Sequence, residues 1–329
     1  MHATAPLELL RLGSVDDALG NRQGRFFGEG FKHVAQALTD ITVRPATADS
    51  PGRVDATAGL TIPGTWSRKG ESDQLPHLST IDVMLFGAQL AGLYAAHTYQ
   101  LPPSGPFLVR SVTIKAGTEP DEHNLDRFPV SAVLRSTVDL PELRRQLIVM
   151  DCRIASMTVR VAVEHAATGS TVAETGSYPS AKQLPGPWND ASYGASHFGR
   201  HQFLTDVEAD IAVHSATADL AITTDLAGTR RAALPPTMID LFTSALQLAQ
   251  IMLYKLDGLD RASSNTLWMR STSITPAPAP ASGEDDARFR TELLRPVRLP
   301  SANGTWRAAE IAATHAGMQL SCKVAHLLP

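Results

Sequence analysis

Between Asp82 and Tyr94 the only strongly polar residue is Gln89: Val83-Met84-Leu85-Phe86-Gly87-Ala88-Gln89-Leu90-Ala91-Gly92-Leu93 is apolar on every face of a helix. Such a helix is stable only when it is buried on most sides. Ser79, three residues before Asp82, supplies its start signal. The same pattern returns at Thr237-Met238-Ile239-Asp240-Leu241-Phe242-Thr243-Ser244-Ala245-Leu246-Gln247-Leu248-Ala249-Gln250-Ile251-Met252. In both copies Ile-Asp is followed by Gln-Leu-Ala, with the glutamine seven residues after the aspartate. Elsewhere the pattern changes to period two. Phe107–Ile114, Leu147–Met150 and Thr158–Val163 read as strands in the first half, and Leu267–Ile274 and Gln319–Val324 fill the same slots in the second.

The repeat extends beyond the helices. Arg110-Ser111-Val112-Thr113-Ile114 matches Arg270-Ser271-Thr272-Ser273-Ile274, and Val138-Asp139-Leu140-Pro141 matches Val297-Arg298-Leu299-Pro300. Ala155-Ser156-Met157 and Val163-Glu164-His165 match Ala316-Gly317-Met318 and Val324-Ala325-His326. Before the helix, Asp40-Ile41-Thr42-Val43 is aligned with Asp210-Ile211-Ala212-Val213, a shift of 170 against 158 for the helices. About twelve extra residues are therefore expected in the Gly- and Pro-rich stretch from Gly59 to Pro76. One buried helix followed by antiparallel strands that curl around it is the hotdog arrangement. The expectation is an α+β, tandem (double) hotdog fold: a lead-in over 1–20, a first domain over 21–178 and a second over 190–329. The boundary falls where Gly, Pro and Ser cluster, between Gly176 and Asn189. Pro276 to Asp286 reads as an extended, mobile excursion.

The totals narrow the function classes. A chain of 329 residues with 43% hydrophobic and 19% charged positions can build two cores. A formal charge of −4 provides no basic field for nucleic acid. Polar or helix-breaking residues interrupt both apolar helices, so no membrane span is expected. The start, Met1-His2-Ala3-Thr4-Ala5-Pro6, lacks the order of a signal peptide, and Cys152 and Cys322 read as buried free thiols. Both point to a cytoplasmic protein. A homodimer is compatible with this composition.

The helix starts carry the candidate chemistry. Unpaired N–H groups and the positive end of the helix dipole can polarise a thioester carbonyl. That singles out His77, Asp82, Thr237 and Asp240. Ser79-x-x-Asp82 and Thr237-x-x-Asp240 also fit an acidic capping box, which is a purely structural role. The other role is general acid or base. The second copy has Pro235 where the first has His77, which favours Asp82 as the working group. Gln89 and Gln247, mid-helix, are either hydrogen-bonded structural residues or substrate contacts. Arg25, Arg110 and Arg270 are candidate anchors for a phosphate or carboxylate, the last two at matched strand positions. The apolar surfaces of Met84, Phe86, Phe242 and Met252 could line an acyl chain. His197, His201 and His214 have no metal-ligand spacing. Tyr254, Lys255 and Trp268 read as packing residues. No metal and no cofactor are expected.

Several of these segments resemble known sequences. Pro76-His77-Leu78-Ser79-Thr80-Ile81-Asp82 resembles the segment of polyketide dehydratases that carries the catalytic aspartate. Gln89-Leu90-Ala91-Gly92-Leu93-Tyr94 resembles fatty-acid dehydratase helices, whose catalytic acid lies four residues before the glutamine. Leu85 and Thr243 hold that place here, which argues against simple dehydration. Taken together, Val15-Asp16-Asp17-Ala18-Leu19-Gly20, Arg25-Phe26-Phe27-Gly28-Glu29-Gly30-Phe31, His77 to Asp82 with Gln89-Leu90-Ala91, and Pro235 to Asp240 resemble the avirulence D (AvrD) family. That resemblance covers most of the chain. It implies a biosynthetic enzyme that condenses a β-ketoacyl thioester, on acyl carrier protein or coenzyme A, with a small sugar or sugar phosphate. The product would be a syringolide or butenolide-type signal, with a ketose such as xylulose as acceptor. Wider relatives are the A-factor (γ-butyrolactone) synthases. Two alternatives keep the fold: a thioesterase or dehydratase acting on acyl thioesters, and a non-catalytic lipid or signal binder.

Overall fold

A computed structural model describes residues 9–62, 64, 66–184, 186, 197–224, 234–278 and 288–329. Residues 1–8, most of 276–286 and the end of the 176–189 boundary lie outside the described residues. In chain order the elements are β1 (Leu9–Ser14), α1 (Asp16–Leu19), β2 (Ala35–Arg44), β3 (Arg53–Thr61), β4 (Arg68–Lys69), β5 (Ser72–Asp73), α2 (Thr80–Tyr99), β6 (Phe107–Lys115) and β7 (Phe128–Leu140). There follow β8 (Arg145–Ile154), β9 (Met157–Ala166), β10 (Gly176–Ser180), β11 (Arg200–Asp210), β12 (Ser215–Thr224), α3 (Met238–Leu256), β13 (Trp268–Pro276), β14 (Phe289–Ser301), β15 (Gly304–His315) and β16 (Met318–Leu327).

The chain forms two compact units. One is Lys32–Gly64 with Leu75–Phe198; the other is Met1–Phe31 with Thr65–Gln74 and Gly199–Pro329. They are named here after Asp82 and Asp240. The units cross the boundaries suggested by the repeat. Residues 21–31 and 65–74 fold with the C-terminal part, and so does the lead-in, where β1 pairs with β11.

In the Asp82 unit seven strands pair in the order β6-β9-β8-β7-β3-β2-β10, each neighbour antiparallel. Helix α2 packs on β2, β3, β6, β7, β8 and β9. Alternation does the sorting: along β3, Val54, Ala56, Ala58 and Leu60 face inward while the residues between them are more exposed. Val83 to Phe86, Leu90, Ala91 and Leu93 have no solvent exposure, so the apolar stretch is the core, as its pattern requires. Gln100, at φ 52, ends the helix.

In the Asp240 unit seven strands pair in the order β1-β11-β12-β14-β15-β16-β13, again antiparallel. Helix α3 packs on β11, β12, β14, β15 and β16. Its sequence is more one-sided than that of α2, with Thr243, Ser244, Gln247 and Gln250 among its residues, and Leu241, Ala245, Leu248, Ala249, Met252 and Leu253 are fully buried.

The internal repeat holds from the helices onward but needs a different register before them. Both early strands bulge at an aspartate with positive φ: Asp40 (52°) in β2 and Asp206 (50°) in β11. The bulges equate residues 166 apart, not 170. Ile211 to His214, aligned with strand residues in the first half, form the β11–β12 turn instead. The extra length of the first half is divided between the longer β2–β3 connection and the segment that contains β4 and β5.

Candidate functional site

The first turn of α2 is a closed capping box. Ser79 N and Oγ donate to Asp82 Oδ2 at 3.0 and 2.6 Å, and the Asp82 amide donates to Ser79 Oγ at 3.2 Å. From β2, Gln36 Nε2 donates to Asp82 Oδ1 at 2.7 Å. Asp82 is 2% exposed, and among the described residues no cation reaches it. Burial raises its carboxyl above the ordinary value of 3.8, against the opposing pull of the Ser79 and Gln36 hydrogen bonds. His77 is half-buried, with Nδ1 3.4 Å from the Leu75 carbonyl, and burial lowers its pKa. The hydrogen bonds on Asp82 come from Ser79 and Gln36, not from His77.

The first turn of α3 repeats the box and adds a charge. Thr237 N and Oγ1 both donate to Asp240 Oδ2 at 2.8 Å, and the Asp240 amide returns a bond at 3.2 Å. Gln202 Nε2, from β11, donates to Oδ1 at 2.6 Å. Arg200 then closes on Oδ2 with Nε at 3.2 Å and Nη2 at 2.6 Å, while Nη2 also reaches the Pro235 carbonyl at 2.7 Å. Gln202 and Gln36 are equivalent in the 166 register, and Arg200 falls opposite Val34, which is buried and apolar. One residue therefore decides whether the buried aspartate has a counter-ion.

A second polar cluster lies in the Asp240 unit, around Arg25. Arg25 is 4% exposed, and its Nη1 donates to Gln247 Oε1 at 3.0 Å. Gln247 Nε2 donates to the Thr243 carbonyl at 3.3 Å. Arg25 Nη2 pairs with Asp16 Oδ1, and its Nε has no partner. Burial pulls the guanidinium down to about 10, so it remains a cation at neutral pH. The glycine-broken segment places it there: a Cβ on Gly28 would stand 2.3 Å from the Arg22 carbonyl oxygen, and one on Gly30 2.4 Å from that of Trp66. Arg22 bonds Glu29 at 2.8 Å and lies 4.4 Å over the Phe203 ring. A small pocket lies against this cluster, with Ser14, Asp16, Arg22, Arg25, Gln202 and Gln247 among its walls.

Other sequence candidates lie elsewhere. Arg110 stands at a bulge in β6 and Arg270 at the matching bulge in β13. Arg110 Nε is taken by Glu164 at 2.5 Å, which also binds Arg145, whereas Arg270 is exposed. Gln89 is half-buried, and among the described residues its side chain makes no hydrogen bond. Leu85 is fully buried, and the Thr243 hydroxyl is turned back on the Ile239 carbonyl at 2.9 Å, so neither helix presents an acid there. Met84, Phe86, Phe242 and Met252 are buried within the cores of their units. Both cysteines are buried, with thiols pushed up to about 12 by burial. Among the described residues no group of His, Cys, Asp and Glu could hold a metal, and no helix is long and apolar enough to cross a membrane.

Sequence reasoning missed Gln36, Arg200, Gln202 and Asp16. For the glutamines the signal was present: Gln36-Ala37-Leu38-Thr39-Asp40-Ile41 matches Gln202-Phe203-Leu204-Thr205-Asp206-Val207. A buried carboxylate held at the start of a core helix, beside a strand glutamine, can exchange protons with a bound molecule or fix the helix end.

The family model described as Pseudomonas avirulence D protein (AvrD) matches residues 10–329. The chain belongs to that family. No curated protein matches it. Among solved structures it is similar to the tesB protein of Mycobacterium avium subs paratuberculosis, with 11% identity, 84% of this chain and 92% of that one covered, and a TM-score of 0.33. It is similar also to the 12:0-ACP thioesterase from Umbellularia californica, with 9% identity, coverage of 83% and 97%, and a TM-score of 0.35. A protein with a hot dog fold from Alicyclobacillus acidocaldarius gives 11% identity, coverage of 86% and 96%, and a TM-score of 0.34. Likenesses this distant assign no activity.

Proposed function

We propose that the protein is a tandem hotdog enzyme acting on acyl thioesters, and that it joins a β-ketoacyl thioester to a small ketose. Asp82 is the acid–base group. Its carboxylate takes the proton from a ketose hydroxyl, and the oxygen attacks the thioester carbonyl, polarised by the positive end of the helix. The C–S bond breaks, the thiolate takes the proton back from Asp82, and an ester and a free thiol leave.

One observation carries this reading: two matched buried aspartates differ in their neutralisation. Asp240 is ion-paired with Arg200, whose guanidinium occupies its carboxylate. Asp82 has hydrogen bonds but no cation, and burial raises its pKa toward the range useful for proton transfer. Family membership supports the thioester and the ketose through the resemblance set out above.

The test is to supply a β-ketoacyl thioester with and without xylulose and to follow thiol release and product mass. Release that requires the ketose, with a product of ester mass, is expected. Equal release without it would make the protein a thioesterase, and none in either case would contradict the reading.

A further inference from the structure

The Arg25 cluster contains a half-used binding fork. The Nε and Nη2 hydrogens of an arginine point the same way and together fit two oxygens of one anion. Among the described residues, arginines that use both nitrogens on a single carboxylate include Arg200 on Asp240, Arg53 on Asp55, Arg160 on Asp151, and Arg298 and Arg307 on Asp257. Arg25 does not. Asp16 takes Nη2 alone, and Nε is buried without a partner. Gln202, another wall of the same pocket, has a buried Oε1 that is also without a partner.

The two members of the ion pair differ in depth. Arg25 is 4% exposed and Asp16 41% exposed. Asp16 sits on the four-residue helix α1, just after the edge strand β1. A half-exposed carboxylate loses little on returning to water, because exposed ion pairs contribute little. A buried guanidinium, by contrast, needs an anion. The neighbouring carboxylate, Glu29, is engaged by Arg22.

We infer that this pocket is a binding site for a small oxyanion, a phosphate or a carboxylate, which displaces Asp16 and occupies both Nε and Nη2 of Arg25. Asp16 is the resident stand-in that balances the charge of the buried Arg25 when the site is empty. Gln202 Oε1 accepts a hydroxyl carried by the ligand, or the P–OH of a singly protonated phosphate. This site goes beyond the Asp82 chemistry and does not depend on it.

Calorimetric titration of the full chain with inorganic phosphate, and separately with acetate and with glycerol, tests the inference without any turnover. Saturable binding of one anion per chain is expected, weakening as salt rises. Asp16→Asn removes the competing carboxylate and should tighten binding by about tenfold or more. Arg25→Lys keeps the charge but loses the fork and should abolish binding, with circular dichroism confirming the fold. If Arg25→Lys does not fold, Asp16→Asn still decides. The phosphate and acetate titrations distinguish the two anion sources. Unchanged affinity in Asp16→Asn, anion binding that survives Arg25→Lys, or glycerol binding as tightly as the anions would overturn it.

Discussion

Asp82 and Asp240 occupy the same place in the same capping box, and the residue opposite each sets its chemistry. Arg200 holds Asp240 in an ion pair. Replacing Arg200 with Met strands a buried carboxylate and should cost about 3–5 kcal/mol in denaturant unfolding, with Asp240→Asn in the same chain recovering most of the loss. Val34, buried and apolar, holds the position equivalent to Arg200 in the other half, and burial raises the Asp82 pKa. The folded chain therefore holds a proton that the unfolded chain has already released. Stability from this group is fully present below the ordinary value of 3.8 and is lost as pH rises through the folded value. Thermal midpoints followed from pH 4 upward should show a decline that Asp82→Asn flattens. A midpoint profile unchanged by that substitution would mean that Asp82 titrates normally. The aspartates themselves were legible in the sequence, because a capping box is a local pattern. Their neutralisation was not, because Arg200 lies 40 residues from Asp240 and reaches it only through the sheet.

At the scale of elements, α2 and α3 were legible because their composition permits nothing but a buried helix. The β8–β9 hairpin follows from the strands read at Leu147–Met150 and Thr158–Val163, whereas β7 has no counterpart among the strands read from the sequence. The match of Asp40-Ile41-Thr42-Val43 to Asp210-Ile211-Ala212-Val213 sets the early strands four residues off their register in the sheet, because Ile211 to His214 form a turn where the first half has strand. The bulge has a consequence, because it fixes which strand residue faces the helix start. Gln36 lies four residues before the Asp40 bulge, as Gln202 does before Asp206. Ser79→Ala removes the acceptor for the Asp82 amide and should cost about 0.5–2 kcal/mol in urea unfolding. Gln36→Leu leaves the cap intact but frees Oδ1 of Asp82. It should shift the pH–rate curve to higher pH with little change in urea midpoint, because a hydrogen bond favouring the ionised form is gone. A large fall in midpoint with the pH–rate curve unmoved would assign Gln36 to packing instead.

Across the whole molecule, composition and repeat predicted two cores, and the chain builds two units. What they did not reveal is the exchange of segments: Met1–Phe31 and Thr65–Gln74 belong to the Asp240 unit. Contact of this kind is made by side chains distant in sequence. Lys69 of the β4–β5 hairpin donates to the Ser264 carbonyl at 3.1 Å and to its hydroxyl at 3.2 Å. Lys69→Met should therefore speed amide exchange over residues 66–74 selectively, read by mass spectrometry. The central claim concerns chemistry, and Asp82→Asn tests it most directly. Thiol release from a β-ketoacyl thioester in the presence of xylulose should fall by about 10²–10⁴-fold in that variant, with the thermal midpoint within a few degrees of the parent. Full activity together with a lowered midpoint would make Asp82 a helix cap and nothing more.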